Sequence, residues 1–403
     1  MFHLNDFIGQ HVIMRSESMF EADMTENQDE LREAIFEKAV LVIGGAGSIG
    51  SSFIKALLPF RPQKLVIVDT NENGLTELTR DLRSTNGMYV PGEYVTYPMD
   101  FSSEAFIKMF NHNRGFDIVA NFSAHKHVRS EKDIFSIEAL LRNNVLNAGG
   151  LLETLSAHPP KEYFCVSTDK AANPVNVMGA SKRVMEDLIF SYSDRFPVKT
   201  ARFANVAFSN GSLPDGFLSR ISKLQPLSAP LDVKRFFVSP EESGQICLLS
   251  CILGNNRDIF FPKLTEAQMM SFDVIARELL QAQGYDVIEC ASDEEALSKA
   301  EDLKKGSKLY PVHFSKSDTS GEKPYEEFVA DGENTDIDRF RSLGVITGKP
   351  VPDKKRLSLL LTQLEETFSK ENEASKETVI GILSDYLPEF EHIETGRSLD
   401  SKM

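Results

Sequence analysis

The sequence of 403 residues contains no tryptophan and only four cysteines. Cys165, Cys247, Cys251 and Cys290 form no CxxC pair and no Cys/His spacing typical of a metal site, so we expect neither a disulfide framework nor a metal centre. The chain lacks a run of ~18 apolar residues that could cross a membrane. Its start lacks the basic and apolar segments of a signal peptide. The sequence therefore predicts a cytoplasmic protein without a membrane partner.

Basic side chains are fewer than acidic ones: the chain has 44 Lys and Arg and 60 Asp and Glu, which gives a formal net charge of −16. Nucleic acids and anionic membranes both require a basic surface, so neither is a predicted partner. Residues 1–37 carry nine carboxylates and two arginines, with Leu31 and Ile35 spaced for a short amphipathic helix. We expect this segment to be an acidic extension that is solvated or contacts another subunit.

From Ala39 onward, short apolar segments alternate with helical patterns. This alternation is typical of βαβ units, and it predicts an α/β fold with a Rossmann-type doubly wound parallel sheet. Past residue 206 the pattern gives way to Gly/Pro-punctuated segments, which predict a smaller lobe, with exposed loops over about 291–335. The predicted strands are 39–45, 64–69, 116–124, 162–168 and 198–206. The predicted regions are an acidic extension (1–37), a nucleotide-binding domain (38–206), a substrate lobe (207–335) and a C-terminal helical extension (336–403).

A glycine-rich turn follows the first predicted strand directly and opens a helix. Glycines at 44, 47 and 50 allow a tight turn, close approach of a pyrophosphate and close packing of the helix on the strand. Asp69 ends the second strand, where a carboxylate can bind ribose hydroxyls and repel a 2′-phosphate, which favours NAD over NADP. Asp100 suits either the adenine edge or a loop cap. The predicted cofactor contacts here are Gly44, Gly47, Ser48, Ile49, Gly50, Asp69 and Asp100.

The Gly-x-x-Gly-x-x-Gly spacing, together with Lys182, resembles the extended short-chain dehydrogenase/reductases. The usual catalytic set of that superfamily is a Ser or Thr after the fifth strand and a Tyr-x-x-x-Lys motif. The matching segment of this chain runs from Ser167 to Lys182, and Met178 occupies the tyrosine position.

Thr168-Asp169-Lys170, followed by Asn-Pro-x-Asn-x-Met-Gly-x-x-Lys, is similar to the UDP-N-acetylglucosamine 4,6-dehydratases, in particular the soluble, Met-containing branch of the capsular polysaccharide dehydratases. Segments 121–128, 202–206, 210–212 and 235–237 also resemble that family. The likeness is specific over about 38–262 and looser over 330–403. It implies a lyase with bound NAD, a UDP-sugar substrate and a role in bacterial surface glycans. It also implies a cofactor contact at Ala124 and substrate contacts at Lys126, Asn205, Asn210 and Arg235.

In such a reaction, bound NAD takes hydride from carbon 4 of the sugar and returns it to carbon 6. Between these steps a base removes the carbon 5 proton and an acid helps to expel the carbon 6 hydroxyl as water. The resemblance implies Lys170 as the base, Asp169 as the acid and Lys182 on the nicotinamide ribose. A lysine acts as a base only when neutral, and the adjacent carboxylate opposes that, so the division of roles between Asp169 and Lys170 stays open.

Met178 leaves two alternatives open, because a thioether has no ionisable proton. Either Thr168, Asp169 or a water relays the proton of the carbon 4 hydroxyl, or the chain is a non-catalytic NAD-binding protein. A UDP-sugar 4-epimerase is a further alternative, since it needs redox chemistry at carbon 4 alone. Asn144 suits a brace for the active-site helix or an ordinary helix surface. The two terminal extensions suggest a homo-oligomer.

Overall fold

The computed structural model describes residues 2–127, 131–317, 326–369 and 374–393. Val128, which belongs to one of the segments that carry the resemblance, and residues 394–403 of the predicted C-terminal extension lie outside these ranges. Within the described ranges, no helix is both long enough and apolar enough to span a bilayer.

The described residues form one large sheet and two small ones. The strands are β1 Ala39–Ile43, β2 Lys64–Asp69, β3 Glu93–Pro98, β4 Ile118–Asn121, β5 Glu162–Thr168, β6 Val198–Phe203, β7 Asn205–Val206, β8 Leu227–Pro230, β9 Lys234–Val238, β10 Ile259–Pro262, β11 Met269–Ser271, β12 Asp286–Cys290, β13 Leu309–Ser315, β14 Asn334–Asp336 and β15 Leu343–Thr347. The large sheet has the order β14-β15-β10-β6-β5-β4-β1-β2-β3. Its strands from β3 to β10 are parallel, whereas β15 and β14 are antiparallel to their neighbours.

Helices cover both faces of the large sheet. They are α1 Leu4–Phe7, α2 Glu21–Glu26, α3 Gln28–Ile35, α4 Ser48–Leu57, α5 Glu72–Ser84, α6 Glu104–His112, α7 Ile134–Leu141, α8 Asn147–Ser156, α9 Val177–Phe190, α10 Leu213–Ser222, α11 Pro240–Leu253, α12 Phe272–Ala282, α13 Asp293–Ala300, α14 Lys354–Thr367 and α15 Lys376–Tyr386. Alternate residues of β1 face opposite sides, so Leu41 packs against α6–α9 and Val42 against α3–α5 and α11. The predicted doubly wound α/β fold is confirmed.

The N-terminal segment differs from the prediction for 1–37. Leu31 and Ile35 lie on α3 as predicted, but they are fully buried in the core of this same chain. The buried carboxylate of Asp23 accepts hydrogen bonds from the backbone N–H groups at 341 and 342, at 2.6 and 2.9 Å. The segment is therefore an integral part of the fold rather than a solvated extension, because burial of its apolar residues outweighs its acidic character.

The C-terminal helices α14 and α15 also pack on this chain, against the face formed by α6–α9. The guanidinium group of Arg142 donates a hydrogen bond to the carbonyl of Phe368 (2.8 Å), and the Tyr386 hydroxyl donates one to Asp187 (3.2 Å). Both extensions thus have contacts within the chain, which removes the reason to assign them to a subunit interface. The homo-oligomer stays a prediction.

The region after residue 206 contributes to all three sheets. β10, β15 and β14 extend the large sheet, and β8, β12 and β13 form a small parallel sheet. The third sheet is mixed, because β9 pairs in parallel with β7 and antiparallel with β11. The loops predicted over about 291–335 prove in part to be regular structure, since α13 and β13 lie there. Tyr310 and Val312 are buried in this small lobe, and this burial holds β13 in place despite the charged residues around it.

Candidate active site

The glycine-rich turn between β1 and α4 has the geometry of a dinucleotide cradle. Gly44 has a φ of 74°, and a Cβ atom there would lie 2.6 Å from the backbone nitrogen of Ser123. A Cβ atom on Gly50 would collide with the carbonyl oxygen of Gly44. The N-cap residue of α4 is Gly47, which has no side chain that could accept from the first N–H groups of the helix. Those N–H groups can therefore bind an anion, and the helix dipole favours this binding.

Asp69 holds this turn from the end of β2. Its carboxylate accepts hydrogen bonds from the backbone N–H groups of Ala46 and Asn71, each at 2.9 Å. A carboxylate with two oxygens retains acceptor capacity, and Asp69 is half-buried, so it can also accept from a ribose hydroxyl. Asp100 is exposed and accepts hydrogen bonds from the N–H and hydroxyl of Ser102, which is the loop cap of the two predicted alternatives.

Three predicted site residues from distant parts of the chain meet beside the turn. The backbone N–H of Asn210 donates a hydrogen bond to the hydroxyl of Ser48 (2.9 Å), and Lys126 Nζ donates one to the Asn210 carbonyl (3.1 Å). Desolvation lowers the pKa of Lys126, and the opposing charge of Asp215 only partly offsets this. Ala124 lies between Lys126 and Ser123, which borders Gly44. The predicted cofactor and substrate residues therefore share one edge of the sheet.

Thr168, Asp169 and Lys170 form a hydrogen-bonded group at the carboxyl end of β5. The Thr168 hydroxyl donates to Asp169 Oδ1 at 2.6 Å, and Lys170 Nζ lies 3.1 Å from both carboxylate oxygens. The Asp169 side chain is buried, whereas that of Lys170 is 32% exposed. Desolvation acts to lower the pKa of Lys170, but the charges of Asp169 and Glu326 outweigh it, and the pKa lies above its ordinary value. Lys170 is therefore an ammonium ion at neutral pH.

Helix α9 begins against this group. A Cβ atom on Gly179 would lie 2.6 Å from the carbonyl oxygen of Lys170, so glycine permits the close approach. The side chain of Asn176 caps the helix by accepting from the N–H of Gly179 (2.7 Å). Met178 is buried, and its backbone N–H donates to Glu131 (3.0 Å), a contact that the sequence did not predict.

Lys182 lies one turn further along α9 and is buried. Its Nζ donates to the carbonyl of Val166 at 3.0 Å, and desolvation lowers its pKa. Asn144 braces the helix as one of the two predicted alternatives proposed. Its amide donates to the Ser181 hydroxyl (3.1 Å) and to the His125 carbonyl (2.9 Å), and its oxygen accepts from the His125 N–H (2.9 Å).

The structure adds a group that the sequence did not single out, namely Glu326. Its carboxylate accepts hydrogen bonds from the amide of Asn205 (2.5 Å) and the N–H of Phe236 (2.9 Å), and Arg235 Nε lies 3.7 Å away. Asn205 and Arg235, two predicted substrate contacts, are thus brought together by a carboxylate that follows them by about ninety to 120 residues. The segment containing Glu326 has no local motif that could have indicated this.

The arrangement combines an anion-binding turn, a carboxylate for ribose and a buried acid–base group along one sheet edge. Such crevices at the carboxyl ends of parallel strands are where open α/β sheets bind ligands. Asp100 lies on the loop after β3, where its carboxylate caps the loop by accepting from Ser102. Within the described residues, no three His, Cys, Asp or Glu side chains are grouped in a way that could hold a metal ion.

Known proteins share both the sequence pattern and the fold. An uncharacterized membrane protein of Methanocaldococcus jannaschii is 28% identical over 84% of this chain and 95% of its own length. The inverting UDP-N-acetylglucosamine 4,6-dehydratase of Campylobacter jejuni is 25% identical over 73% of this chain and 82% of its own. The UDP-glucose 4-epimerase of Rickettsia bellii is 26% identical over 60% and 70%, respectively. The chain spans 47% of the capsular polysaccharide biosynthesis protein CapD of Staphylococcus aureus.

Two solved structures have the same fold. Pen from Bacillus thuringiensis superposes with a TM-score of 0.61 at 19% identity, over 82% of this chain and 98% of its own. The dTDP-glucose 4,6-dehydratase DesIV from Streptomyces venezuelae has a TM-score of 0.55 at 17% identity, over 83% and 99%. In sequence, the family described as polysaccharide biosynthesis protein matches residues 40–340, more than half of the chain. This chain therefore belongs to that family of polysaccharide biosynthesis proteins.

Proposed function

We propose that this protein is an NAD-dependent UDP-N-acetylglucosamine 4,6-dehydratase that makes a UDP-4-keto-6-deoxy-N-acetylhexosamine for a bacterial surface glycan. The observation that carries the proposal is the ion pair of Asp169 and Lys170, held at the end of β5 beside Thr168. An elimination across two sugar carbons needs an acid and a base within reach of adjacent atoms, and this pair supplies one of each.

The residues around the glycine-rich turn fit NAD. The uncapped N-terminus of α4 suits the pyrophosphate, and Asp69 suits a ribose with a free 2′-hydroxyl. Bound NAD supplies hydride chemistry at carbons 4 and 6 of the sugar. Lys182 follows Met178 by one turn of the same helix, and in this proposal its side chain binds the nicotinamide ribose.

Lys170 and Asp169 take up their two roles through one proton transfer. In the resting protein the ammonium group of Lys170 donates to the Asp169 carboxylate over 3.1 Å. Moving that proton from Nζ to the carboxylate produces a neutral amine and a carboxylic acid at the same time. The amine can then accept the carbon 5 proton, and the acid can protonate the departing carbon 6 hydroxyl. Exclusion of water by a bound sugar favours this neutral form of the pair.

The proton of the carbon 4 hydroxyl requires an acceptor other than Met178. The Thr168 hydroxyl already donates to Asp169 Oδ1 at 2.6 Å, so it can accept the sugar proton as it passes its own to that carboxylate. Asp169 then releases this proton to solvent before it accepts the proton of Lys170. This relay needs no group at the tyrosine position. Met178 then serves as an apolar wall, consistent with its burial.

The substrate diphosphate is bound by cations of the second half of the site. Lys126 Nζ donates to the carbonyl of Asn210, and Arg235 lies beside Glu326; each offers a positive charge to a nucleoside diphosphate. A guanidinium group matches phosphate oxygens in a bidentate manner, which makes Arg235 the main contact.

The test is to incubate the purified protein with UDP-N-acetylglucosamine and analyse the product by mass spectrometry. The expected product is lighter by one water. Substrate that is unchanged in the presence of bound NAD would refute the proposal, whereas a new isomer of unchanged mass would indicate a 4-epimerase. K170A should abolish turnover and retain NAD. The matched control is K161A, since Lys161 forms an exposed ion pair with Asp117 and should leave turnover at the wild-type level.

A further inference from the structure

The described segment that begins at Glu326 contacts the loop after β5 and the strands β6 and β9. Glu327 accepts a hydrogen bond from Asn173 (2.9 Å), three residues after Lys170. Phe328 packs its ring against Phe236, with ring centroids 5.7 Å apart, and its carbonyl accepts from Arg202 Nη1 (2.8 Å). The segment therefore contacts the Asp169–Lys170 loop on one side and β6 and β9 on the other.

A buried ion network fixes this segment in position. Arg202 on β6 is fully buried and forms two hydrogen bonds to Glu186 (2.9 and 2.8 Å) and two to Glu333 (2.7 and 2.9 Å). Glu186 also accepts from the Ser167 hydroxyl (2.7 Å), directly before Thr168. The segment with Glu326 is thus tied to the strand that ends in the acid–base group.

The Glu326 carboxylate occupies the centre of a cluster of charges. Its side chain is 2% exposed, and it contacts Asn205, Arg235 and the N–H of Phe236. The charged groups that act on it are Asp169, Lys170 and Arg235. A buried carboxylate with fixed donors on both oxygens has little freedom to move, so its charge lies at a defined place beside the pair.

We propose that Glu326 is a positioning residue of this site, whose buried carboxylate fixes the side chains of Asn205 and Arg235 and supplies a second negative charge beside Lys170. Its part in catalysis rests on the proposed dehydratase function, whereas its effect on Lys170 does not. The negative charge stabilises the ammonium form of Lys170 and so opposes the proton transfer to Asp169.

The charge of Glu326 is itself adjustable near neutral pH. Desolvation and the neighbouring Asp169 raise the pKa of Glu326 to about 7, against the lowering effect of Lys170 and Arg235. A diphosphate bound to Arg235 would offset the positive charge of that guanidinium group and so favour protonation of Glu326. Neutral Glu326 no longer stabilises the ammonium form of Lys170. Substrate binding would therefore prepare Lys170 for its role as a base.

The direct test measures the titration of Lys170 without turnover. Trace acetylation with acetic anhydride over a pH series, quantified by mass spectrometry of the Lys170 peptide, gives the midpoint at which the amine becomes reactive. In E326Q we expect this midpoint to fall by about one pH unit, because a negative charge that acts on Lys170 is removed. E326D keeps the charge and should stay near the wild type. E327Q, the neighbouring carboxylate, is the matched control and should leave the midpoint unchanged.

A Lys170 midpoint in E326Q equal to that of the wild type would overturn the proposal, whether or not the protein turns over substrate. If the wild type is a dehydratase, the pH limb of kcat that Lys170 governs should move to lower pH in E326Q. A purely structural role would lower kcat at every pH and leave the limb in place. Bound NAD and the unfolding midpoint, measured for each variant, identify any loss that is due to misfolding.

Discussion

Replacing Arg202 with methionine should destabilise the protein strongly, because Arg202 donates two hydrogen bonds to each of two buried carboxylates, Glu186 and Glu333. Methionine fills a similar volume but leaves Glu186 and Glu333 without that cation. Removing one partner of a buried ion pair costs about 3–5 kcal/mol, since the remaining charge stays desolvated. Glu333 keeps Lys349, and Glu186 keeps the Ser167 hydroxyl, so we expect a loss within that range.

The loss should depend on pH in a defined direction. In the wild type, although burial opposes it, Arg202 helps to hold the pKa of Glu333 at about 2, below its ordinary value. This contribution to stability is therefore complete above the ordinary glutamate pKa and disappears as pH falls toward the folded value. In R202M both carboxylates stay buried without the guanidinium group, so their pKa values rise. Protonation of these carboxylates then removes the unfavourable buried charge in R202M. The difference in the free energy of unfolding between R202M and the wild type should therefore be smaller at about pH 4 than at about pH 7.

Urea denaturation at both pH values measures this difference, provided that the m-values agree. R202K is the control, because lysine keeps the charge but cannot bridge two carboxylates with paired hydrogen bonds, and it should lose less stability than R202M. A loss below about 1 kcal/mol at neutral pH, or an equal loss at both pH values, would refute the network as the anchor of the segment with Glu326.

Three further substitutions test other parts of the structure. Gly50→Ala should abolish NAD retention, because the new methyl group collides with the Gly44 carbonyl. The nucleotide released on denaturation measures the amount of bound NAD, and an unchanged amount would contradict the role of this turn in binding the dinucleotide. Asn144→Ala removes the hydrogen bonds to the Ser181 hydroxyl and to both backbone groups of His125, and it should cost about 1–3 kcal/mol in urea unfolding, while no loss would exclude a brace. Asp23→Ala should cost a similar ~1–3 kcal/mol, and a change within about 0.5 kcal/mol would mean that residues 2–37 are not integral to the fold.

Local patterns were sufficient for the elements that position the cofactor turn. β1, β2 and β5 are apolar runs bounded by turn residues, and the glycines at 44 and 50 are required by contacts within that same turn or just beside it. The fold class, the doubly wound sheet and the two C-terminal helices follow from such short-range signals. The solvated alternative for 1–37 was wrong for the converse reason: the charge of this segment is visible in the sequence, but the pairing of Asp23 with residues 341–342 is not. The alternative of a contact with another subunit stays a prediction.

The site itself depends on contacts that no short motif encodes. Asn205 and Glu326 are separated by 121 residues, and Arg202 and Glu333 by 131. Two residues of the 202–206 motif, Arg202 and Asn205, bind the segment that begins at Glu326 through their side chains. That segment is largely polar and has no periodicity, so the sequence does not indicate it as a partner. For this reason Asn205 was predicted to contact the substrate alone.

The formal charge of −16 does not conflict with the proposed anionic ligands, because the charge near the site differs from that of the whole chain. Lys126, Lys170 and Arg235 lie at the proposed sugar-nucleotide half, against the carboxylates of Asp169, Asp215 and Glu326. Protonation of Glu326, whose pKa is about 7, would leave three cations facing two carboxylates. Electrostatic attraction of a diphosphate falls off within ~10 Å in salt, so these near groups outweigh the distant acidic surface. The overall charge opposes the binding of extended polyanions, whereas the local charge is suited to one diphosphate.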